Sequence, residues 1–407
     1  MSAPCRACSS SATFEVLDFG DLAFTGVFPL PGEAVPKGRL ALMVCDDCGL
    51  VQLADTFDPT VLYGDNYGYR SGLNAGMVAH LHRTVDRLER LVDMSQATVL
   101  DIGSNDGTLL GAYRTPQLTR IGIDPTSGKF AEFHDPGMVA VERFFTADAF
   151  WSVSRRPARV VTSIAMFYDL PDPIAFAKDV YRVMEDGGLW HLEVAYAPKM
   201  LRNGAYDTIC HEHLEYYSLG TLSFILAEAG FRIISATTNG TNGGSIAVTA
   251  AKAGSRRWQP DTTLVPWLLT MEKSSRVDEP GPWLQFAERV AETQSDLRNL
   301  LVALVGKGAS ISGLGASTKG NVLLQTTGVG VNLLDEIGDV NPYKYGRQTP
   351  GTRIPITSES YALAMKPDYL LVLPWHFREG ITRSMSSYLE AGGKLIYPLP
   401  DIEVVGE

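Results

Sequence analysis

The chain has 407 residues, of which 45% are hydrophobic and 20% charged, and its formal net charge is −11 at pH 7. A chain of this length exceeds what one hydrophobic core organises, so we expect two or three domains. The acidic balance argues against a nucleic-acid-binding protein, which would carry a basic face to neutralise phosphates. A few local Lys or Arg side chains can still hold a small anionic ligand.

Neither a membrane span nor a signal peptide is predicted. No apolar run approaches the roughly 20 residues that a membrane-spanning helix needs. The first residues, Met1 to Cys5, have neither the basic region nor the apolar region of a signal peptide. The sequence therefore predicts a cytoplasmic protein without membrane association.

Four of the five cysteines form two C-x-x-C pairs, Cys5/Cys8 and Cys45/Cys48. Each pair brings two thiolates onto one edge of a tetrahedron, and two pairs complete a closed four-cysteine zinc site. Disulfides are the alternative, which a cytosolic chain disfavours, and a redox motif needs only one pair. Because four thiolates leave no open position for a substrate, the predicted zinc is structural and sits in a small β-rich module.

A buried strand, a glycine-rich turn and the start of a helix are predicted at residues 99–110. Two glycines of the turn let the backbone approach a ligand closely. About 20 residues later a second strand ends in a carboxylate, which in nucleoside-binding folds accepts hydrogen bonds from ribose hydroxyls. The predicted ligand-binding residues are Asp101, Gly103, Ser104, Asn105, Gly107 and Asp124.

The spacing D-x-G-x-x-x-G favours S-adenosylmethionine over a dinucleotide, because no phosphate has to be cradled there. Two later segments, at residues 159–164 and 184–190, resemble the fourth strand of such a fold and the turn and strand that follow it. Together the four segments predict a class I methyltransferase fold. Taken singly, Asp101 and Asp124 could instead be helix caps or surface carboxylates.

The segment at residues 206–218 concentrates titratable side chains, namely His211, Glu212, His213, Tyr216 and Tyr217 among others. Such density is typical of a functional site. The spacing excludes the HExxH helix of metalloproteases, while an H-x-H metal pair and a purely structural connection stay open. We favour proton abstraction by a neutral histidine, with the glutamate orienting the imidazole and a tyrosine stabilising an enolate.

The two cysteine pairs, the D-I-G-S-N-D-G turn, the C-H-E-H-L-E-Y-Y-S segment and a later G-L-G-A-S-T-K-G-N segment occur in one order. Together they resemble the deoxysugar C-methyltransferases, which build C3-branched sugars for antibiotics and surface polysaccharides, over essentially the full length. The resemblance implies that His213 is the base, with Glu212 beside it. Cys210 stands where members commonly carry tyrosine, so enolate stabilisation would pass to Tyr216 or Tyr217, or differ.

The resemblance also implies an α/β architecture of three domains that enclose a nucleotide-linked 4-keto sugar. These are a zinc domain (1–72), an S-adenosylmethionine-dependent methyltransferase domain with a Rossmann-like core (73–254) and a C-terminal Rossmann-like domain (255–407). A tyrosine-rich segment at residues 63–72 would cover the methyl donor, with Tyr67, Tyr69 and Arg70 as the covering residues. Ordinary loop aromatics are the alternative.

The C-terminal third predicts an amphipathic helix at residues 283–305, then a strand and a glycine turn at 309–321. This turn resembles a phosphate-binding βα turn but does not match the Walker pattern. We expect Lys319 and Asn321 to hold the pyrophosphate of a sugar nucleotide, with Trp375, His376 and Arg378 lining the same cleft. The alternative is a packing domain with a solvated lysine.

The predicted function is methyl transfer from S-adenosylmethionine to C3 of a dTDP- or GDP-linked 4-keto-deoxysugar, by a monomer or small homo-oligomer. O- or N-methyl transfer to a nucleotide sugar is the alternative within enzymes. A zinc-ribbon RNA-binding protein and a non-catalytic nucleotide-sugar binder are rivals of other classes. The acidic net charge disfavours the RNA-binding protein. A non-catalytic nucleotide-sugar binder would not need the predicted S-adenosylmethionine motif.

Overall fold

The computed structural model describes residues 4–64 and 67–406. The first three residues, on which the prediction of no signal peptide partly rests, and residues 65 and 66 of the tyrosine-rich segment lie outside this range. The described chain forms three sheets, of four, seven and six strands. Among its described helices, none combines the length and the apolar run needed to cross a membrane.

The N-terminal sheet is antiparallel and runs in the order β1-β2-β3-β9. Its elements are β1 (Thr13–Ala23), β2 (Lys37–Cys45), β3 (Val51–Leu53) and a short helix α1 (Pro59–Leu62). Its fourth strand, β9 (Glu215–Tyr216), comes from the middle of the chain and pairs with β3 through Val51 and Tyr216. The segment that carries the predicted base therefore leads directly into the sheet of the cysteine module.

The seven-stranded sheet runs in the order β10-β11-β8-β7-β4-β5-β6. Its strands are parallel except β11, which is antiparallel to both of its neighbours. This is the strand arrangement of class I methyltransferases. The elements are α2 (Ala75–Leu91), β4 (Thr98–Ile102), α3 (Thr108–Gly111), β5 (Thr119–Ile123), β6 (Met138–Val141), α4 (Ala147–Val153), β7 (Ala158–Ile164), α5 (Pro173–Val183), β8 (Met184–Ala195), α6 (Ala197–Asn203), α7 (Leu219–Glu228), β10 (Phe231–Asn239) and β11 (Ser245–Lys252).

The helices of this unit follow from their sequence patterns. In α2 the buried residues recur at helical spacing, as in Met77, Leu81, Val85 and Leu88, and Asn74 caps the first turn by accepting from the Met77 N–H. Helix α8 (Leu264–Ser275) lies in the stretch expected to open the C-terminal domain, but it packs on α7 and β10. Its apolar residues thus extend the methyltransferase core.

The six-stranded sheet runs in the order β14-β13-β12-β15-β16-β17, which is the order 3-2-1-4-5-6 of a Rossmann fold. All its neighbours are parallel except β17, which is antiparallel to β16. The elements are α9 (Pro280–Gly306), β12 (Ile311–Leu314), α10 (Thr318–Thr327), β13 (Ile337–Asp339), β14 (Ile356–Ser358), α11 (Glu359–Ala364), β15 (Tyr369–Val372), α12 (Arg378–Ser384), α13 (Ser386–Glu390), β16 (Lys394–Tyr397) and β17 (Glu403–Val405).

The cysteine module packs against both larger units. One apolar cluster joins buried residues of β2, such as Leu40 and Leu42, to α9 and the C-terminal sheet. Another joins Cys5 and Cys45 to the interior of the methyltransferase core. The module therefore bridges the two α/β units and positions the segments between them.

Candidate active site

A cavity of about 490 Å³ opens at the carboxyl ends of β4, β5 and β7. In parallel α/β sheets this edge is the usual ligand site. Five of the six residues predicted around the glycine-rich turn line it, namely Asp101, Gly103, Ser104, Asn105 and Asp124. The sixth, Gly107, has φ +79° and caps α3, and a Cβ there would meet the Met138 sulfur at 3.0 Å.

The two carboxylates of this edge are buried, so the interpretation as surface carboxylates is wrong. Asp124 is 6% exposed and accepts hydrogen bonds from the Asn105 N–H at 2.9 Å and from the Thr126 hydroxyl at 2.6 Å. Asp101 accepts from the Thr162 hydroxyl at 2.6 Å, and its burial raises its pKa to about 7. Oriented carboxylates beside a cavity of this size fit the ribose and amino groups of S-adenosylmethionine.

The tyrosine-rich segment covers this cavity, with Tyr63, Tyr67 and Tyr69 in its wall. The Asn105 side chain makes two hydrogen bonds to the backbone of this segment. Its Oδ1 accepts from the Ser71 N–H at 2.9 Å, and its Nδ2 donates to the Tyr69 carbonyl at 3.2 Å. The turn that lines the cavity thus also holds its cover.

Arg70 belongs to the covering segment but is not among the residues that line the cavity. Its guanidinium stacks 3.8 Å from the centroid of the Phe133 ring, and its Nε lies 4.0 Å from the Asp106 carboxylate. Arg70 therefore holds the covering segment and does not itself line the cavity.

His213 is the one residue of the H-E-H motif that is partly exposed. Its Nδ1 donates to the Thr208 carbonyl at 2.9 Å, and this bond fixes the neutral tautomer that leaves Nε2 free as an acceptor. Its ring lies edge-on to Tyr168, with centroids 4.3 Å apart. Burial, and then the charge of Lys319, lower its pKa to about 3.

Glu212 does not orient this imidazole, contrary to expectation. Its carboxylate accepts from the Thr25 hydroxyl at 3.3 Å, and its Oε1 is buried without a partner. A Cβ at Gly26 would lie 2.0 Å from that oxygen, so a larger residue there would force the Glu212 carboxylate to move. The backbone carbonyl of Thr208 takes the orienting role instead, because Glu212 points toward the cysteine module. Burial raises the pKa of Glu212.

His211 also points away from the site and serves the cysteine module. It is fully buried between the rings of Phe24 and Phe57, with centroids 4.8 and 4.9 Å away, and its Nε2 donates to the Gly38 carbonyl at 3.1 Å. Burial lowers its pKa to about 4. Its expected catalytic role and the H-x-H metal pair are both wrong, because the two imidazoles face different surroundings.

Tyr216 and Tyr217 cannot take over the enolate role that was expected of them. Both are fully buried, and their hydroxyls donate to backbone carbonyls, those of Thr208 at 3.3 Å and Phe167 at 3.4 Å. Cys210 is buried too, and burial raises the pKa of its thiol well above the ordinary value. It is a packing residue, as expected of a thiol in such surroundings.

Lys319 stands in a polar cluster beside His213. Its ammonium donates to the Asn242 carbonyl at 2.6 Å and faces Asp207, whose carboxylate accepts from the Trp375 indole at 2.7 Å. The charge of Lys319, after burial, lowers the pKa of His376. The structure thus brings Lys319, Trp375 and His376 together, as the sequence predicted, and adds Asp207 to them.

Two of the residues expected to bind substrate lie elsewhere. Asn321 is fully buried, and its Nδ2 donates to the Thr25 carbonyl at 2.7 Å, so it docks α10 on the cysteine module. Arg378 pairs with Glu403 and stacks 4.6 Å from the centroid of the Tyr397 ring, at the edge of its own sheet. Both expectations are wrong because partners distant in sequence occupy these side chains.

Sequence reasoning missed several residues that surround His213. Thr208, Tyr168 and Asp207 contact it or its neighbours, and Tyr63 and Asp169 line the donor cavity next to them. Asp207 and Thr208 lie within the predicted segment 206–218, and Tyr63 lies within the tyrosine-rich segment, but no role was assigned to them. No pattern in the sequence indicated Tyr168 or Asp169. Tyr168 and Asp169 follow the end of β7, a position that class I folds bring to the active edge.

The four cysteines come together as predicted, and all four are free of disulfides. Their sulfur atoms lie within 4.8 Å of one another, and two pairs, Cys5–Cys48 and Cys8–Cys45, are 3.5 Å apart. Zinc–sulfur bonds of about 2.3 Å in a tetrahedron separate thiolates by roughly 3.8 Å, so the arrangement fits Zn²⁺. The disulfide interpretation is wrong.

Family profiles of known proteins match three successive parts of the chain. The family profiles that match are "Putative zinc binding domain" at residues 5–63, "Methyltransferase domain" at 76–236 and "C-methyltransferase C-terminal domain" at 240–400. The chain is 31% identical over 410 residues to C-methyltransferase NovU of Streptomyces niveus, covering 98% of this chain and 96% of that protein.

Solved structures of methyltransferases are also similar to this chain. One is the CcbJ methyltransferase from Streptomyces caelestis, with 10% identity, a TM-score of 0.33, and coverage of 43% of this chain and 90% of that one. Another is a SAM-dependent methyltransferase from Aquifex aeolicus, with 14% identity, a TM-score of 0.31, and coverage of 42% and 97%.

The seven-stranded sheet, the cavity at its carboxyl edge and the family profiles define an S-adenosylmethionine-dependent methyltransferase that carries a zinc-binding module. The match to NovU extends over nearly the whole of both chains. The chain therefore belongs to the family of C-methyltransferases that includes NovU, as the resemblance predicted.

Proposed function

We propose that this enzyme transfers a methyl group to C3 of a nucleotide-linked 4-keto-deoxysugar, with His213 as the base. The observation that carries the proposal is the state of His213: a neutral ring, held through Nδ1, with Nε2 free and partly exposed. The ring contacts Tyr168, whose neighbour Asp169 lines the donor cavity. A base at this place lies between the donor cavity and the polar cluster of Lys319.

The chemistry follows from these positions. When bound, S-adenosylmethionine supplies an electrophilic methyl group on a positively charged sulfur. His213 Nε2 accepts the C3 proton, the C3–H electron pair becomes the C3–C4 double bond, and the carbonyl π pair moves to the C4 oxygen. C3 then bonds to the methyl carbon, the methyl–sulfur bond breaks with its electrons on sulfur, and the C4 carbonyl re-forms. His213 afterwards gives its proton to water.

The cluster of Lys319 supports a nucleotide-linked acceptor. A half-buried ammonium beside two aromatic side chains, Trp375 and His376, suits a diphosphate with an attached base in a protein whose net charge is negative. Lys319 faces Asp207 in the same cluster, so its charge is held in place before an anion binds. Asp207 has an Oδ1 that is buried without a partner, which leaves an acceptor for a hydroxyl of the bound molecule.

The test is mass spectrometry of the products formed from S-adenosylmethionine and a panel of nucleotide-linked 4-keto-6-deoxysugars in deuterated water. We expect a gain of one methyl group with loss of the C3 hydrogen. A methyl gain with the C3 hydrogen retained would instead indicate O- or N-methyl transfer and would overturn the proposal.

The matched variant is His213→Asn, which keeps a polar side chain but removes the base. We expect it to lose turnover by at least about 100-fold, the ordinary contribution of a general base. Its affinity for S-adenosylmethionine, measured by titration calorimetry, should stay near that of the wild type, because His213 does not line the donor cavity. Full activity in this variant would remove His213 as the base.

A further inference from the structure

Two polar groups without hydrogen-bond partners lie in the wall of the donor cavity. These are the Tyr63 hydroxyl and Oδ1 of Asp169, both buried. Both residues line the cavity. Buried polar atoms in native proteins are nearly always paired, so orphaned atoms beside a cavity indicate a ligand that pairs with them. The proposed reaction uses neither group so far.

The Tyr63 hydroxyl and the Asp169 carboxyl lie close enough to influence each other's pKa. The Tyr63 hydroxyl lies close enough to Asp169 to lower the pKa of that carboxyl, although no hydrogen bond of ordinary geometry joins them. Asp169 follows Tyr168, whose ring packs on His213 and whose carbonyl accepts a hydrogen bond from the Leu214 N–H at 2.8 Å. The pair therefore lies in the wall of the donor cavity, and Asp169 is adjacent in sequence to a residue that contacts the base.

We propose that Tyr63 and Asp169 form the oxyanion site of this reaction, with a protonated Asp169 carboxyl and the Tyr63 hydroxyl both donating hydrogen bonds to the C4 oxygen of the acceptor. The inference rests on the proposed function and assigns the groups that stabilise its enolate. Burial raises the pKa of Asp169 well above its ordinary value, and the neighbouring Glu212 raises it further. A tyrosine paired with a carboxylic acid kept neutral by its surroundings is an established means of stabilising an enolate.

The assignment also accounts for the position of Cys210. The tyrosines that follow it, Tyr216 and Tyr217, are engaged with backbone carbonyls, and its own thiol is buried. Donors for the C4 oxygen must then come from another element. Asp169, after β7, and Tyr63, in the covering segment, bring such donors to the cavity wall from two parts of the chain.

The experiment measures exchange of the C3 hydrogen of the acceptor in deuterated water, with S-adenosylhomocysteine in place of the methyl donor. Under these conditions the enolate forms without methyl transfer. Asp169→Ala and Tyr63→Phe should each slow exchange by about 100-fold, the ordinary effect of removing one oxyanion donor. Asp169→Asn, which keeps a neutral hydrogen-bond donor of the same shape, should stay within about tenfold of the wild type.

The pH dependence gives a second readout. A protonated Asp169 loses its proton at high pH and stops donating, so exchange by the wild type should fall there, whereas Asp169→Asn should not show this loss. The titratable groups whose ionisation is coupled to Asp169 are Tyr63, Tyr67, Tyr168, Cys210, Glu212, Glu215, Tyr216 and Tyr217. All remain in the Asn variant, which isolates the contribution of Asp169.

Tyr113→Phe is the matched control for Tyr63→Phe. Its hydroxyl is also buried without a partner, but it lies in the apolar cluster around α2 and α3, and the variant should exchange like the wild type. Exchange in Asp169→Ala within about threefold of the wild type, or Asp169→Asn as slow as Asp169→Ala, would overturn the oxyanion site alone. A wild type that exchanges no sugar of the panel would overturn it together with the proposed function.

Discussion

At the scale of single residues, burial and the charge of Lys319 together lower the basicity of His213. Burial is the larger cause of the low pKa of this imidazole, and the nearby ammonium is the second. Because the ring stays neutral well below pH 7, it is always ready to accept a proton. It is also a weak base in the free enzyme. An anionic group bound at Lys319 would offset the positive charge and make the base stronger once the acceptor is in place.

Replacing Lys319 by Met should raise the pKa of His213. A protonated imidazole cannot accept a proton, so the reaction slows as the pH falls below this pKa. Removing the ammonium stabilises the protonated ring, and the acidic limb of the pH profile should therefore move to higher pH. The measurement is the pH dependence of C3 exchange at saturating acceptor. Lys319→Arg, which keeps the charge, should leave the limb where it is, and an unshifted limb in Lys319→Met would contradict the coupling.

At the scale of elements, the turn after β4 does more than line the donor cavity. Asn105 has φ +50°, in the left-handed region, and this backbone conformation directs its amide toward the covering segment. The same residue donates its N–H to Asp124 at 2.9 Å. Asn105 is thus hydrogen-bonded both to Asp124 in the cavity wall and to the covering segment.

Asn105→Gly should therefore weaken binding of S-adenosylmethionine without disturbing the turn. Glycine adopts φ +50° without strain, and the variant loses two hydrogen bonds, each worth about 1 kcal/mol. We expect the dissociation constant to rise by about tenfold to thirtyfold, as measured by calorimetry. Limited proteolysis should cut the variant faster within residues 67–72.

A matched substitution tests whether these two hydrogen bonds, and not a general loosening of the turn, account for the weaker binding. Asn105→Asp keeps the acceptor for the Ser71 N–H but loses the donor to the Tyr69 carbonyl, and it should lie between the wild type and the Gly variant. Equal affinity in all three proteins would show that the cover does not contribute to donor binding.

The features that could be predicted from the sequence are those whose defining residues lie close together in the chain. The turn at Gly103 and the paired cysteines combine residue type and spacing within a few positions, so each specifies its own geometry. The sequence could not predict which histidine of H-E-H faces the site, because this depends on the hydrogen-bond partners of His211 and His213. One is the Gly38 carbonyl, 173 residues away, and the other is the Thr208 carbonyl in the same loop.

The C-terminal unit shows the same limit. The strand order and the glycine turn with Lys319 follow from the pattern of apolar runs and turns. The burial of Asn321 does not, because its partner, the Thr25 carbonyl, lies 296 residues away. Contacts between the units determine which polar side chains of a motif are available to bind a ligand. A local sequence pattern does not predict these contacts.

At the scale of the whole molecule, the cysteine module holds the loop of the base in place. Arg6, between the first two cysteines, donates to the carbonyls of Leu53 at 2.7 Å and Asp55 at 3.0 Å, and its Nε lies 3.8 Å from Glu215. Glu215 is fully buried in β9, two residues after His213, and neither of its oxygens has a hydrogen-bond partner. The zinc site is therefore connected through one side chain to the segment that carries the base.

Arg6→Ala should destabilise the fold by about 3 kcal/mol, because it leaves the Glu215 carboxyl buried without its counter-ion. Urea denaturation checks this, and restoring part of the lost stability with Glu215→Gln in the same chain would trace the loss to that carboxyl.

Arg39→Ala is the matched control: its ion pairs with Glu15 and Asp18 are exposed, and exposed pairs contribute little. If the two arginine variants are equally stable, the zinc module does not act through Glu215. If Arg6→Ala alone is unstable and its acceptor turnover falls further than its donor affinity, the module supports the loop of the base from outside the methyltransferase core.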